Sequence, residues 1–148
     1  MQINGKEIAV DDFGEGKTFL CVHGLGGTSN FWRPVVTAFA STHRVIAPDL
    51  PSAGRSGIDP DLSIESLAQD LLSLMDQLDL DTVHLVGHSM GTVICQHMAA
   101  AAPDRIAGMV LLGPLAEPPD AARPALVDRA GAARSEGMLA IADAISDA

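Results

Sequence analysis

An α/β architecture, with a mostly parallel sheet and flanking helices, is predicted by two features of this 148-residue sequence. Short apolar runs alternate with longer stretches whose apolar residues recur at helical spacing, a pattern typical of βαβ units. The composition also provides enough apolar material for a buried core, because 47% of the residues are hydrophobic and only 19% are charged. The length favours a single domain.

The chain begins with a predicted hairpin and a buried strand. Asn4 and Gly5 separate two short segments, and this dipeptide supplies the two positive-φ residues of a tight hairpin turn. Residues 18–22 form a continuous apolar run, which is typical of a strand covered on both faces. Residues 30–40 carry apolar side chains at helical spacing, and Pro34 is compatible only with the first turn of that helix.

Further strands and helices alternate along the next part of the chain. Residues 44–47 predict a strand, and Ser63 is the expected N-cap of a long helix. The apolar stripe of that helix consists of Ile64, Leu67, Leu71, Leu74, Met75 and Leu78. A strand over 82–86 and a helix over 92–102 follow, and Ile106–Leu112 is the last clear strand.

The character of the sequence changes after that strand. A stretch rich in Pro and Ala indicates an exit loop, and the Ala-rich segment after it predicts helices broken near Gly131 or Gly137. We therefore expect an α/β core over residues 1–113, followed by an exit loop and the start of a helical region over residues 114–148.

Several classes of function are disfavoured by the composition. The formal net charge of −10 argues against nucleic acid or an anionic membrane surface as a partner, because phosphate contacts require Lys and Arg. No segment approaches the roughly 20 apolar residues needed to span a bilayer, and the amino terminus lacks a signal-peptide pattern. Cys21 and Cys95 do not make a disulfide framework, so a cytoplasmic location is expected. The sequence predicts no metal and no cofactor, since it contains no metal-ligand spacing and no nucleotide-binding motif.

The strongest chemical signal is the segment Gly87-His88-Ser89-Met90-Gly91, which lies between a predicted strand and a predicted helix. This is the context of a nucleophile elbow, in which a strained turn lifts the serine Oγ above the carboxyl edge of the sheet. Glycine is expected at 87 and 91 because any side chain there would clash between helix and strand. A chance G-x-S-x-G match is the alternative, and the placement between strand and helix disfavours it.

A second signal is the segment His-Gly-Leu-Gly-Gly at 23–27, directly after the first buried strand. An acyl-transfer enzyme needs two backbone N–H groups aimed at the oxyanion. Met90 would supply one and Leu25 the other, with Gly24 allowing a close approach of the loop. A plain glycine-rich turn is the alternative reading, and His23 is expected to fix this loop by hydrogen bonding and not to act as a base.

Three motifs follow one another along the chain: His-Gly-Leu-Gly-Gly at 23–27, Asp-Leu-Pro-Ser-Ala-Gly-Arg-Ser at 49–56 and Gly-His-Ser-Met-Gly at 87–91. In the order and spacing of these motifs the chain resembles the α/β-hydrolase superfamily, and within it the 3-oxoadipate enol-lactonase-like esterases and lactonases. The tail over 129–144 is similar to the start of that group's helical cap. The resemblance implies that Ser89 is the nucleophile, that Leu25 and Met90 form the oxyanion hole, and that the substrate is a small carboxylic ester or lactone.

The resemblance also predicts what the chain lacks. In the family the nucleophile is followed by an acid and then by a histidine, both after later strands. His97 is the only histidine after Ser89, and it lies roughly 12 Å along the predicted helix, too far to accept the serine proton. We therefore expect the N-terminal part of a larger α/β-hydrolase, without the C-terminal strands and most of the cap. Ser52 is a smaller departure, at a position where the family usually has glycine.

Two alternatives to a working hydrolase stay open. The chain could be a catalytically incomplete fragment or pseudoenzyme that binds a small ligand or a partner chain, or a split enzyme that a second chain completes. A sheet ending at Ile106–Leu112 would leave an apolar strand as an unpaired edge, which predicts self-association or a complementing chain there, and poor solubility without one. Trp32 is a candidate for lining the substrate pocket, with core packing as the alternative.

Overall fold

A five-stranded sheet is the centre of the first of two units in the computed structural model, which describes residues 1–114 and 120–137. The units comprise residues 1–115 and 116–148. The strands are β1 (Gln2–Ile3), β2 (Lys6–Glu7), β3 (Val10–Phe13), β4 (Thr18–Val22), β5 (Arg44–Pro48), β6 (Val83–His88) and β7 (Ile106–Leu112). The helices are α1 (Arg33–Phe39), α2 (Ile64–Gln77) and α3 (Met90–Ala101) in the first unit and α4 (Arg123–Glu136) in the second.

The sheet has the order β3-β5-β4-β6-β7. Strand β3 runs antiparallel to β5, while β4, β5, β6 and β7 are mutually parallel. The predicted mostly parallel sheet with flanking helices is therefore confirmed. Because the parallel strands share a direction, their carboxyl ends and the loops that follow them lie along one edge of the sheet.

The amino-terminal hairpin forms around the predicted turn, with Asn4 at φ 50° and Gly5 at φ 81°. Its second strand is shorter than predicted, because Val10 belongs to β3 in the larger sheet. Strand β3 is not predicted from the sequence, because its central Asp-Asp pair interrupts the apolar pattern. The strand forms because its backbone pairs with β5 over the four positions of the register.

The core lies on both faces of the sheet. The larger cluster joins one face to α2 and α3, and Leu71, Leu74, Ile94 and Met98 are among its fully buried members. The smaller cluster lies on the α1 side and consists of Cys21, Trp32, Val45, Ala47 and Val86, with Val35 and Val36 of α1 packed against it. Each fully buried Leu or Ile side chain contributes roughly 1.5–3 kcal/mol by removing apolar surface from water.

The helix boundaries agree with the sequence in part. Ser63 caps α2 as predicted, because its side chain accepts a hydrogen bond from the Ser66 amide. The segment predicted as a helix over 30–40 begins with a 3₁₀ turn over Ser29–Trp32, and α1 proper begins at Arg33. Helix α4 continues through Gly131 and ends before Gly137.

Strand β7 lies at one edge of the sheet, and within residues 1–114 and 120–137 no further strand pairs with its outer side. Three of its large apolar side chains are exposed, at 43% for Met109, 53% for Val110 and 43% for Leu112. None of the described helices is long and apolar enough to cross a membrane.

Candidate active site

Ser89 occupies a sharp turn between β6 and α3, with φ 51° and ψ −120°. A positive φ is rare for a residue with a side chain, and such a strained conformation costs roughly 1–3 kcal/mol unless the surroundings hold it. Two backbone hydrogen bonds hold it here: the Ser89 amide donates to the Leu112 carbonyl and the Thr92 amide donates to the Ser89 carbonyl, each at 2.9 Å. The strained turn that the sequence predicts at this serine is present.

Glycines surround this turn at places where the backbone has no room for a side chain. A Cβ atom at Gly87 would lie 2.8 Å from the Gly91 carbonyl oxygen and 2.9 Å from Cys95 Sγ. A Cβ atom at Gly91 would lie 2.8 Å from the His23 carbonyl oxygen and would overlap the Val22 carbonyl oxygen. The close packing of α3 against β4 and β6 therefore requires glycine at both positions, as the motif predicts.

The loop after β4 lies directly against the serine. A Cβ atom at Gly24 would lie 3.0 Å from Ser89 Cβ, so the glycine lets the loop backbone reach the turn. Leu25, the next residue, is 69% exposed. Within the described residues, neither the Leu25 amide nor the Met90 amide makes a hydrogen bond. Both groups that the sequence analysis named as oxyanion donors are therefore unengaged within that part of the chain.

His23 fixes this loop to the loop after β5. The Leu50 amide donates to His23 Nε2 at 3.0 Å, so Nδ1 carries the proton and donates to the Gly24 carbonyl at 2.8 Å. Burial lowers the pKa of His23, whose side chain is 1% exposed, and this keeps the ring neutral. Both ring nitrogens are thus hydrogen-bonded to backbone groups, one in each of these two loops. This excludes His23 as a general base and agrees with the predicted loop-fixing role.

A charged network joins strand β3 to the segments that follow β4 and β5. Asp49 is 1% exposed and accepts hydrogen bonds from the Ser29 amide at 2.7 Å, the Arg55 amide at 3.0 Å and Arg55 Nε at 2.8 Å. Arg55 also donates to Asp11 at 2.9 Å. Burial alone would raise the pKa of Asp49, but the hydrogen bonds from Arg55 and Ser29 outweigh it and lower this pKa to about 2. No local sequence pattern predicts this network, because it joins residues up to 44 positions apart.

The two neighbouring aromatic residues Phe31 and Trp32 lie in different surroundings. Trp32 is 1% exposed and lies in the core cluster on the α1 side, which is the core packing that the sequence left open as the alternative to lining a pocket. Its neighbour Phe31 is 48% exposed and stacks on the ring of His88, with 4.4 Å between ring centroids. The helical spacing of the segment did not distinguish these two side chains, because the first turn is a 3₁₀ helix.

The remaining histidines do not reach the serine. His97 points from α3 toward α2, where its Nδ1 lies 3.9 Å from a carboxylate oxygen of Glu65. His43 and His84 both contact the ring of Phe19. In the part of the chain that the structure describes, no side chain is hydrogen-bonded to the Ser89 hydroxyl, so no base is in place there.

Neither the two cysteines nor the metal-ligating side chains of the described residues form a second reactive centre. Burial raises the pKa of Cys21 and of Cys95 to about 12, so neither thiol forms a thiolate nucleophile at neutral pH. Across residues 1–114 and 120–137, no group of three or more His, Cys, Asp or Glu side chains could hold a metal ion. Ser89 is therefore the nucleophile candidate that the described part of the chain offers.

Comparison with known proteins places these features in a family context. A profile of the alpha/beta hydrolase fold matches residues 17–140. A curated relative, the (E)-2-((N-methylformamido)methylene)succinate hydrolase of Acinetobacter baylyi, is 31% identical over 120 residues, which cover 80% of this chain and 46% of that protein.

Two solved structures are similar over nearly the whole chain. The enol-lactonase from Burkholderia xenovorans LB400 has a TM-score of 0.92 at 32% identity and covers 98% of this chain and 57% of its own. A thermophilic esterase from Thermogutta terrifontis has a TM-score of 0.86 at 33% identity and covers 93% of this chain and 52% of its own. The chain thus spans about half the length of each of these three proteins.

Proposed function

Because this chain belongs to the α/β-hydrolase family, we propose that Ser89 is the nucleophile of a hydrolase that cleaves a carboxylic ester or a lactone. The similarity to an enol-lactonase and to an esterase supports this class of substrate. A serine at the turn also favours acyl transfer, since carbonyl carbons are what an activated serine hydroxyl attacks.

In the proposed reaction, Ser89 Oγ attacks the carbonyl carbon, a C–O bond forms, and the carbonyl electrons move to oxygen. The tetrahedral oxyanion accepts hydrogen bonds from the amides of Leu25 and Met90. Collapse restores the carbonyl and breaks the bond to the alkoxy oxygen, which takes the proton lost by the serine and leaves as an alcohol. In a lactone this alcohol stays attached to the acyl group. Water then attacks the acyl-enzyme, releases the carboxylic acid and restores the serine hydroxyl.

One observation carries this proposal: a strained serine at the amino terminus of a helix, with a glycine-opened loop packed against it. The strain, held by the hydrogen bonds to Leu112 and from Thr92, presents the hydroxyl in one direction. The aligned peptide dipoles of α3 place partial positive charge at this turn, where negative charge develops. An ordinary surface serine requires none of these features.

A positioned base is the part of the machinery that the described residues do not supply. A serine hydroxyl without a base is a weak nucleophile at neutral pH. In serine proteases that lack a triad member, the oxyanion hole and binding alone retain about 10³–10⁴-fold acceleration over water. We therefore expect a substrate to acylate Ser89 of the 148-residue chain only slowly. A reagent that reacts once with the serine and stays attached is the best way to detect such a slow reaction.

A fluorophosphonate probe is such a reagent, and mass spectrometry of the labelled peptide identifies the modified residue. We expect stoichiometric labelling of Ser89 and its loss in Ser89→Ala. Ser52 is a matched control, because among the described residues it is the other serine with a positive φ, at 63°. Ser52→Ala should be labelled at the wild-type rate. Absence of labelling in folded wild-type protein, or equal loss in both variants, would contradict the nucleophile assignment.

A second candidate function is binding without catalysis, of a small ligand or of a partner chain. It is favoured by the unengaged Ser89 hydroxyl in the described residues and by the exposed apolar side chains of β7. An uncovered strand edge offers unpaired N–H and C=O groups to a second copy or to a complementing chain. Turnover of p-nitrophenyl esters that appears only when such a chain is added would identify a split enzyme.

Sedimentation velocity tests self-association through this edge. Val110→Lys places a charge on an exposed β7 position and should shift an associated species toward monomer. Val127→Lys is the control, since Val127 is 69% exposed on α4 and belongs to the second unit. A wild-type chain that is already monomeric, or equal effects of the two lysines, would exclude association through β7.

A further inference from the structure

Three aromatic rings connect the core to the strained serine. Trp32 is buried in the cluster on the α1 side, and the Phe31 ring meets it edge to face at a centroid distance of 5.0 Å and an angle of 90°. The Phe31 ring also stacks on the ring of His88, at a centroid distance of 4.4 Å and an angle of 26°. His88 immediately precedes Ser89 in the chain. The rings therefore form a continuous path from a fixed core residue to the residue next to the nucleophile.

We propose that Phe31 is a positioning residue for Ser89, acting through His88. This inference rests on the proposed function of Ser89 as nucleophile for its catalytic consequence, although the mechanical link can be measured without activity. By holding the His88 ring, Phe31 restricts the backbone torsions at the end of β6. Those torsions determine whether Ser89 keeps its positive φ and presents its hydroxyl along the carboxyl edge.

The packing around His88 explains why a single exposed ring can have this effect. On the loop side, a Cβ atom at Gly24 would lie 3.3 Å from His88 Nδ1, so the imidazole is also close to the loop that carries Leu25. His88 thus lies close to both that loop and the Phe31 ring. Strained residues persist only where their surroundings over-determine them, and removing one contact allows relaxation.

Simple stabilisation of the fold is the competing explanation for Phe31. The ring is 48% exposed, and its aromatic contacts are with Trp32 and His88 alone within the described residues. Phe39 matches it closely, since Phe39 is 42% exposed and meets two rings edge to face, Phe19 at 5.4 Å and His43 at 6.0 Å. Phe39 lies at the end of α1 and has no ring contact with the serine turn, so it separates positioning from stability.

Amide hydrogen exchange, measured residue by residue by NMR, reads the turn directly. The Ser89 and Thr92 amides report on it because both hydrogen bonds include an atom of Ser89. In Phe31→Ala we expect these two amides to exchange about tenfold faster than in Phe39→Ala at matched global stability, a difference equivalent to about 1.4 kcal/mol and within the range for aromatic pairs. Phe31→Tyr keeps the stacked ring and should restore wild-type exchange.

The rate of fluorophosphonate labelling measures the catalytic consequence. Phe31→Ala should lower the maximal inactivation rate about tenfold with little change in the concentration for half-maximal rate, while Phe39→Ala and Phe31→Tyr should retain the wild-type rate. Equal exchange at Ser89 and Thr92 in the two alanine variants would overturn the positioning role. If the exchange difference is present but wild-type protein is never labelled, the positioning link stands and the proposed nucleophilic function fails.

Discussion

Replacement of Gly91 by alanine tests the packing on which the serine turn depends. The added Cβ would lie 2.8 Å from the His23 carbonyl oxygen and closer still to that of Val22, so α3 or β4 must move by about 1 Å. Overpacking of this kind costs up to about 3 kcal/mol, and the preference of helices for alanine over glycine offsets up to about 1 kcal/mol of it. We expect Gly91→Ala to lower the free energy of unfolding by about 2 kcal/mol.

Urea denaturation followed by the fluorescence of Trp32 measures this change, because the chain has one tryptophan and no tyrosine. Gly57→Ala is the matched control: its Cβ would meet no atom closer than 3.5 Å, and its backbone does not require a positive φ. That variant should be as stable as wild type or up to about 1 kcal/mol more stable. A displacement of α3 by 1 Å should also slow labelling of Ser89 about 100-fold. Wild-type stability and labelling in Gly91→Ala would refute the close-approach argument.

Two further predictions concern the supports of the site and of the core. Because folding lowers the pKa of Asp49 from 3.8 to about 2, its ionised form stabilises the protein fully above pH ~4, and this contribution of about 2 kcal/mol is lost as the pH falls toward 2. Wild type should therefore lose about 2 kcal/mol more than Asp49→Asn between pH ~6 and ~2 in urea titrations, and equal losses would exclude Asp49 as a source of acid sensitivity. Ser63→Ala removes the side-chain oxygen that accepts the hydrogen bond from the Ser66 amide, so it should lower the free energy of unfolding by about 1 kcal/mol. Circular dichroism in urea measures this change. An unchanged unfolding midpoint would show that water replaces the cap.

The elements predicted most accurately are those whose signals lie within a few adjacent residues. The bounds of β7 agree with the prediction, because Ile106–Leu112 is one uninterrupted apolar run apart from a single glycine. The hairpin turn at Asn4 and the cap at Ser63 were likewise recognised from local chemistry. Strand β3 was missed because its reason to exist is a partner strand more than 30 residues later, which no local pattern reveals.

At the candidate site, too, the features that were predicted are local and those that were not depend on tertiary contacts. Glycine on either side of Ser89, between an apolar run and a helical stretch, is a local steric requirement, and it was sufficient to predict the strained turn and the close approach of α3. Of the two adjacent rings, Phe31 is exposed and Trp32 is buried. This depends on a 3₁₀ turn and on the core cluster of the sheet against which Trp32 packs.

The amino-acid sequence alone therefore determined the layered α/β architecture, the strained serine and the glycines beside it, because periodicity and backbone sterics act over a few residues. The folded chain decided how Asp49, Arg55 and Asp11 connect the neighbouring loops, and that the partner of His23 in the second loop is the Leu50 amide. Those outcomes depend on distances between residues far apart in sequence, and such distances exist only once the sheet has brought its loops to one edge.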